Sequence, residues 1–310
     1  MSKEKLYPVI GLFFGILAVS TASIFIRFAQ SGAPSIVIAA MRLSTASLLL
    51  TPIALIQYRQ QLFKITKSEL FFLILSGLFL SIHFAAWITS LEFTSIASSV
   101  VLVTTTPLWV ALLSPIFLKE KNNTTIWIGL ILALLGSSLV ALSNQCSFSL
   151  GNLIQCESVG LSFDRNTLSG NFLALLGAWM AAGYMMVGRK VRSTLPLIKY
   201  IFFVYLFSAI FLLLFVIISG ETLVGYSNQA YLWMLLLGLI PQLFGHSVFN
   251  WALGHLPVAF VSIALIGEPI GTILLAFLFL KETPNNLEFL GGLLILIGIF
   301  LVSFLTSKKT

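Results

Sequence analysis

Charged and polar residues punctuate this chain at intervals, and between them apolar residues run almost without interruption. A helix needs about 20 consecutive apolar residues to cross a hydrocarbon layer of about 30 Å. Ten stretches meet that description, approximately 7–29, 34–57, 69–91, 94–118, 124–143, 169–188, 199–219, 229–253, 257–280 and 287–306. Most connections between them are short, which makes neighbours helical hairpins. Lipid-exposed irregular backbone is excluded at depth, because nothing there satisfies a free N–H or C=O. The first stretch follows "MSKEK", a charged start like that of a signal peptide. Its uncharged run from Leu6 to Ile26 is longer than a signal core and has no small-residue cleavage site, so it reads as a retained span.

The pattern repeats. A shift of 162 residues lays Pro107 on Pro269, Lys119-Glu120 on Lys281-Glu282, Gly129 on Gly291 and Gly136 on Gly298. Arg27 falls on Arg189 and Pro34 on Pro196, with no gap anywhere in the register. Each unit holds five stretches, an odd number, so the second unit must enter the membrane from the opposite side. The predicted fold is an all-α membrane protein of ten transmembrane helices in two inverted five-helix repeats. The repeats occupy 1–143 and 169–310, separated by an extracytoplasmic loop at 144–168. Inverted repeats are a recurrent device of secondary transporters, since two similar halves facing opposite ways can exchange conformations around one central site.

Composition supports lipid as the solvent: 58% of residues are hydrophobic, 9% are charged, and mean hydropathy is +1.05. A soluble domain usually carries about 25% charged residues. The net charge of +7 then reads as an asymmetry between loops. Of the 17 Lys and Arg residues, Arg42 lies within a span, thirteen fall on the inner side and three on the outer. That bias sets both termini in the cytoplasm, in a multi-pass protein of the cell membrane. No basic patch with interleaved stacking aromatics is present, which removes nucleic acid as a partner.

The segments "SIASSVVLVTTTPLWVALLSPIFLKE" (95–120) and "VAFVSIALIGEPIGTILLAFLFLKE" (258–282) give the chain a more specific likeness. Five spans per half, with a proline, an apolar run and Lys-Glu ending the fourth, resemble the EamA-type transporters of the drug/metabolite transporter superfamily. The likeness runs from the first span to the last. It implies ten helices, both termini inside, and export or exchange of small metabolites, often amino acids or related compounds. The motif is structural and implies no particular substrate.

Ionisable groups within the spans are few: Arg42, His83, His246 and Glu268. An ionised side chain at mid-helix costs about 2.5–3.5 kcal/mol on insertion scales, so such groups face partners or wet cavities. Glu268 lies about 16 Å into its span at 1.5 Å per residue. It is a candidate proton carrier or a partner for a substrate amine; alternatively, it bonds a carbonyl freed by Pro269. The repeat partner of Glu268 is Thr106, so the fold requires the prolines in both halves and the acid in only one. Pro107 and Pro269 are expected to kink their helices, and Gly267 with Gly271 forms a small-xxx-small pair for close helix approach. Arg42 could hold a substrate carboxylate through a bidentate contact, snorkel outward or satisfy helix-end carbonyls. Its repeat partner is Val204.

His83 and His246 fall one position apart in the repeat register, on the third helix of each half. Each is a candidate for proton relay or substrate contact, set against a neutral hydrogen-bonding role. Gln242, His246 and Asn250 are spaced at i, i+4 and i+8, giving one polar stripe that should face inward. Among the deeper aromatics, Trp87, Trp109, Trp179 and Tyr184 are candidates to line a cavity, with core packing as the plainer alternative. Cys146 and Cys156, the chain's two cysteines, both lie in the outer loop, where a disulfide could persist.

Competing classes lack their signatures. Asp164 is the sole aspartate and lies in a loop, which leaves no aspartyl-protease pair. H-E-x-x-H, G-x-S-x-G and P-loop motifs are missing, so neither an intramembrane enzyme nor an ATP-driven pump is expected, and no metal or cofactor is implied. A facilitative channel or an uptake permease is the nearest alternative. Channels usually show rings of carbonyls or charges, whereas one acid and one arginine suit a carrier site. The expected partners are therefore a small-molecule substrate, the lipid bilayer and protons as a coupling ion.

Overall fold

The computed structural model of the protein describes residues 3–62, 64–94, 96–142, 146–149, 152–156, 165–275, 277–278 and 286–306. In the first half, α1 (Lys3–Val19) and α2 (Ala22–Gln30) are followed by α3 (Ser35–Gln57) and the short α4 (Arg59–Leu62). Then come α5 (Lys67–Phe93), α6 (Ile96–Val103), α7 (Thr106–Phe117) and α8 (Thr124–Leu142). A two-stranded antiparallel hairpin, β1 (Cys146–Ser149) and β2 (Asn152–Cys156), connects to the second half. That half contains α9 (Arg165–Arg192), α10 (Leu197–Ser219) and α11 (Asn228–Leu237), then a π-helix (Gly238–His246) leading into α12 (Ser247–Leu253). It closes with α13 (Val258–Leu265), α14 (Glu268–Leu275) and α15 (Asn286–Thr306).

Among the described residues, seven helical stretches are long and apolar enough to cross a membrane, and three more apolar helices are shorter. The surface inverts the soluble pattern: Ile56 is 82% and Ile218 80% exposed, while Ser76, Ser90 and Ser208 are fully buried. Such a surface suits lipid, and the interior keeps the small hydroxylated residues that let helices approach closely.

The offset of 162 reappears in the elements. The stretch 3–30 corresponds to 165–192, α3 to α10, α6 to α13, and the first residues of α7 and α8 to those of α14 and α15. Repeat partners also pack on each other. A Cβ at Gly129 would lie 2.8 Å from the Gly298 carbonyl oxygen, and one at Gly136 would lie 2.4 Å from that of Gly291. As the numbering rises along α8 it falls along α15, so two copies of one helix run antiparallel. A twofold axis across the helices therefore relates the halves.

Three of the predicted spans are interrupted. The first breaks at Ser20–Thr21, the fourth at residues 104–105 and the ninth at 266–267, the last two being repeat equivalents. Thr105 and Ile266 keep right-handed helical backbone angles, so each span tightens into a turn directly ahead of Pro107 and Pro269. Each proline is the second residue of a half-helix, where the missing N–H costs nothing and the fixed φ suits the first turn. Pro115, inside α7, does leave a carbonyl without its helical donor, that of Ala111, and Asn122 Nδ2 donates to it at 2.6 Å. The hairpin register sets Cys146 opposite Cys156. Their side chains, and with them any bridge, lie outside the described residues.

Candidate functional site

Between the halves lies a cavity of about 100 Å³. It gathers seven of the residues singled out in the sequence for binding or coupling, Arg42, His83, Trp87, Tyr184, His246, Asn250 and Glu268, together with Pro107. Apolar side chains such as Phe84, Phe249 and Leu265 make up much of the remaining wall.

Arg42, on α3, is 1% exposed, so it neither snorkels nor caps a helix end. Its Nε donates to Gln242 Oε1 at 2.9 Å, and its guanidinium carbon sits 4.0 Å from the centroid of the Phe84 ring. That cation–π contact replaces part of the lost hydration. Nη1 of Arg42 has no hydrogen-bond partner among the described residues. Glu268 faces the same cavity from the first turn of α14, yet forms no ion pair with Arg42. Ser20 Oγ and Thr272 Oγ1 donate to its backbone carbonyl at 2.8 and 3.1 Å, and its carboxylate accepts no hydrogen bond among the described residues.

The two histidines differ in their surroundings. Nδ1 of His83 lies 2.8 Å from the Gly177 carbonyl, which can only accept, so Nδ1 carries the proton. In the neutral ring this leaves Nε2 as an acceptor. The ring stacks on Trp87 at 5.9 Å and 15°. His246 meets the edge of Phe84 at 5.3 Å, so Phe84 touches Arg42 and both histidines.

The polar stripe on the eighth span faces inward as expected, but its members act differently. Asn250 donates through Nδ2 to Tyr184 Oη at 2.6 Å and keeps Oδ1 unpartnered among the described residues. Gln242 does not line the cavity; it is fully buried behind Arg42. Trp109 and Trp179 also stand outside the lining, packed edge to face at 5.5 Å and 89°. The Trp87 indole N–H is buried in the cavity wall without a partner among the described residues.

Sequence reasoning missed a second polar cluster. Glu120 Oε1 pairs with Arg189 Nε at 2.5 Å, and its Oε2 accepts from the Val258 N–H at 3.0 Å, at the start of α13. Arg189 Nη1 donates to the Leu253 carbonyl at 2.8 Å, and Arg192 Nε to that of Asn250 at 3.0 Å. Anions at helix starts and cations at helix ends are stabilised by the helix dipole. This clasp ties the loop after α7 to the ends of α9 and α12 and the start of α13. The matching of Arg189 with Arg27 and of Glu120 with Glu282 was its one trace in the sequence.

Comparison with known proteins fits this arrangement. The model of the EamA-like transporter family matches twice, over residues 6–142 and 168–304. The uncharacterized transporter YoaV of Bacillus subtilis is 26% identical over 89% of each chain. Another Bacillus subtilis protein, the uncharacterized transporter YdfC, is 26% identical over 64% of this chain and 59% of its own. Solute carrier family 35 member G1 of Mus musculus is 25% identical over 77% of this chain and 63% of that protein. A solved crystal structure at 17% identity superposes with a TM-score of 0.77, covering 99% of this chain and 100% of the other, which shows the same fold. One unit folded twice around a shared cavity in a multi-pass membrane protein, with the family pattern matched once in each copy, assigns the chain to the EamA-like transporter family.

Proposed function

We propose that the protein is a secondary active carrier that exports or exchanges small metabolites, amino acids or related compounds, by alternating access. In this reading ten helices cross the cell membrane as two inverted five-helix repeats with both termini in the cytoplasm. One observation carries it: Arg42 and Glu268 face one cavity between the halves without a direct ion pair. Leaving two opposite charges unpaired in a membrane interior is costly, and a ligand that bridges them offsets that cost. A carboxylate suits the free end of Arg42, and an amine suits Glu268 and Asn250 Oδ1. When no amine is present, Glu268 would take up a proton and couple its movement to transport.

The cavity's size supports a moving site. Metabolite pockets usually enclose about 300–1,000 Å³. About 100 Å³ is too little, so loading requires the helices to part. The half-helix junctions at 104–105 and 266–267 supply joints for that motion, and the Glu120–Arg189 clasp supplies a contact to release.

Counterflow in proteoliposomes tests the proposal. Preloaded unlabelled substrate should drive transient accumulation of labelled substrate, which a channel does not support. Glu268→Gln should lower the rate at least tenfold or abolish its pH dependence. Wild-type rate with unchanged pH dependence in that variant would remove both roles given to Glu268.

A further inference from the structure

We propose that Gln242 is a positioning residue: buried behind Arg42 by the π-helix, it aims the guanidinium into the cavity and thereby sets the preference for carboxylate-bearing substrates. The inference rests on the reading of Arg42 as the group that meets the substrate's anionic end.

A guanidinium presents five N–H donors in one rigid plane, so its orientation decides what it can bind. In Arg42 that plane is fixed on two sides. Nε is taken by Gln242 Oε1 at 2.9 Å, and the Phe84 ring lies against the guanidinium at 4.0 Å. Rotation about the Nε bond would break the first contact and lift the plane from the second. The end bearing Nη1 lacks a partner among the described residues and is closed off in this state, so it becomes available to a ligand as the helices part. Gln242 is itself fully buried and absent from the cavity wall, so it acts through Arg42.

The local backbone explains how Gln242 gets there. Pro241 has no N–H and removes one helical bond within the π-helix Gly238–His246. The same segment presses on α3 at Arg42: a Cβ at Gly238 would lie 2.5 Å from Thr45 Cβ and 3.0 Å from the Arg42 carbonyl. Tyr205 Oη lies 3.3 Å from the Gln242 carbonyl and 3.1 Å from Ser247 Oγ, holding the widened turn from α10. π-Helical turns within α-helices are frequent at functional sites. The repeat partner of Arg42 is Val204 and that of Gln242 is Leu80, so the pair exists once.

The test compares leucine with leucinamide, probes that differ in the carboxylate, in purified full-length protein. Binding is read by thermal shift and transport by proteoliposome uptake. Wild type should prefer the acid by at least about tenfold, the scale of one charged hydrogen bond. Gln242→Leu should lose most of that preference by raising the KM for leucine, with the rate at saturation kept. Gln242→Met, of similar length without the amide acceptor, is the second variant should Gln242→Leu fold poorly. A purely structural role would instead lower the maximal rate for both probes alike, and that result overturns the inference. So does wild-type preference in the Gln242 variants when Arg42→Gln has lost it. If wild type does not distinguish the probes, or Arg42→Gln keeps the wild-type preference, the assignment of Arg42 itself fails, and the role of Gln242 with it.

Discussion

The two half-helix junctions share a backbone plan and differ in chemistry. At the first, Thr106 opens α7, and its hydroxyl donates to the Val103 carbonyl at 2.8 Å. Trp109 stands one turn further on, packed against Trp179 of the unbroken α9. At the second, Glu268 opens α14, and the residue equivalent to Trp109 is Gly271. There a Cβ would come within 2.1 Å of Ser20 Oγ, so the bare glycine admits the broken first span. Ser20 fills the gap and bonds the Glu268 carbonyl, whereas its own repeat partner, Ala182, has no hydroxyl to offer. Indole rings pack beside the first junction and polar groups gather at the second, while residues of both junctions line the cavity. Duplication thus supplied the junction twice, and in the proposed function a few side chains make the second copy the working one.

Exchanging side chains between the junctions tests this difference. Gly271→Trp installs the residue of the first junction in the second, where Ser20 leaves no room. Overpacking of this kind costs typically about 1–3 kcal/mol, and an indole against backbone exceeds that. Uptake should be abolished and the thermal unfolding midpoint should fall; normal uptake would show that the close contact is dispensable. Thr106→Glu in a Glu268→Thr background moves the acid to the other junction. Relative to Glu268→Thr alone, the new buried charge should destabilise the protein by about 2.5–3.5 kcal/mol, and proteoliposome transport should not return. Recovery of transport would make the two junctions interchangeable. Ser20→Ala removes hydrogen bonds to the carbonyls of Ile16 and Glu268. A loss of about 1 kcal/mol in a denaturant titration is expected, with reduced transport.

Much of this was legible in the chain because lipid makes polar residues scarce and therefore informative. Arg42, His83, His246, Asn250 and Glu268 stood out as rare interruptions of apolar runs, and all line one cavity. The repeat was legible because Pro107/Pro269 and the glycine pairs sit where backbone geometry tolerates little else. The helix breaks were not, since Thr104-Thr105 and Ile266-Gly267 carry no strong breaker of their own and the following prolines fit a kink equally well. Ser20 went unread for a related reason: a hydroxyl in an apolar span is commonly satisfied within its own helix. The π-helix depends on packing against Thr45 and Tyr205, which lie far away in sequence. Arg189 and Arg192 were read as members of a loop charge count and Glu120 as part of a repeat match, readings that ignore which helix end each one reaches. Gln242 and Asn250 looked alike in the stripe and diverged because the π-turn separates their environments.

The inverted arrangement carries the rest, and labelling of repeat-equivalent positions tests it most directly. Gln60, after α3, and Thr222, after α10, are repeat partners at exposed sites. Each would be replaced by a single cysteine in a Cys146→Ser, Cys156→Ser background and treated in intact cells with a membrane-impermeant maleimide. The account predicts that Thr222→Cys reacts from outside, while Gln60→Cys reacts only after the membrane is permeabilised. Equal reaction of both positions from the same face would contradict it.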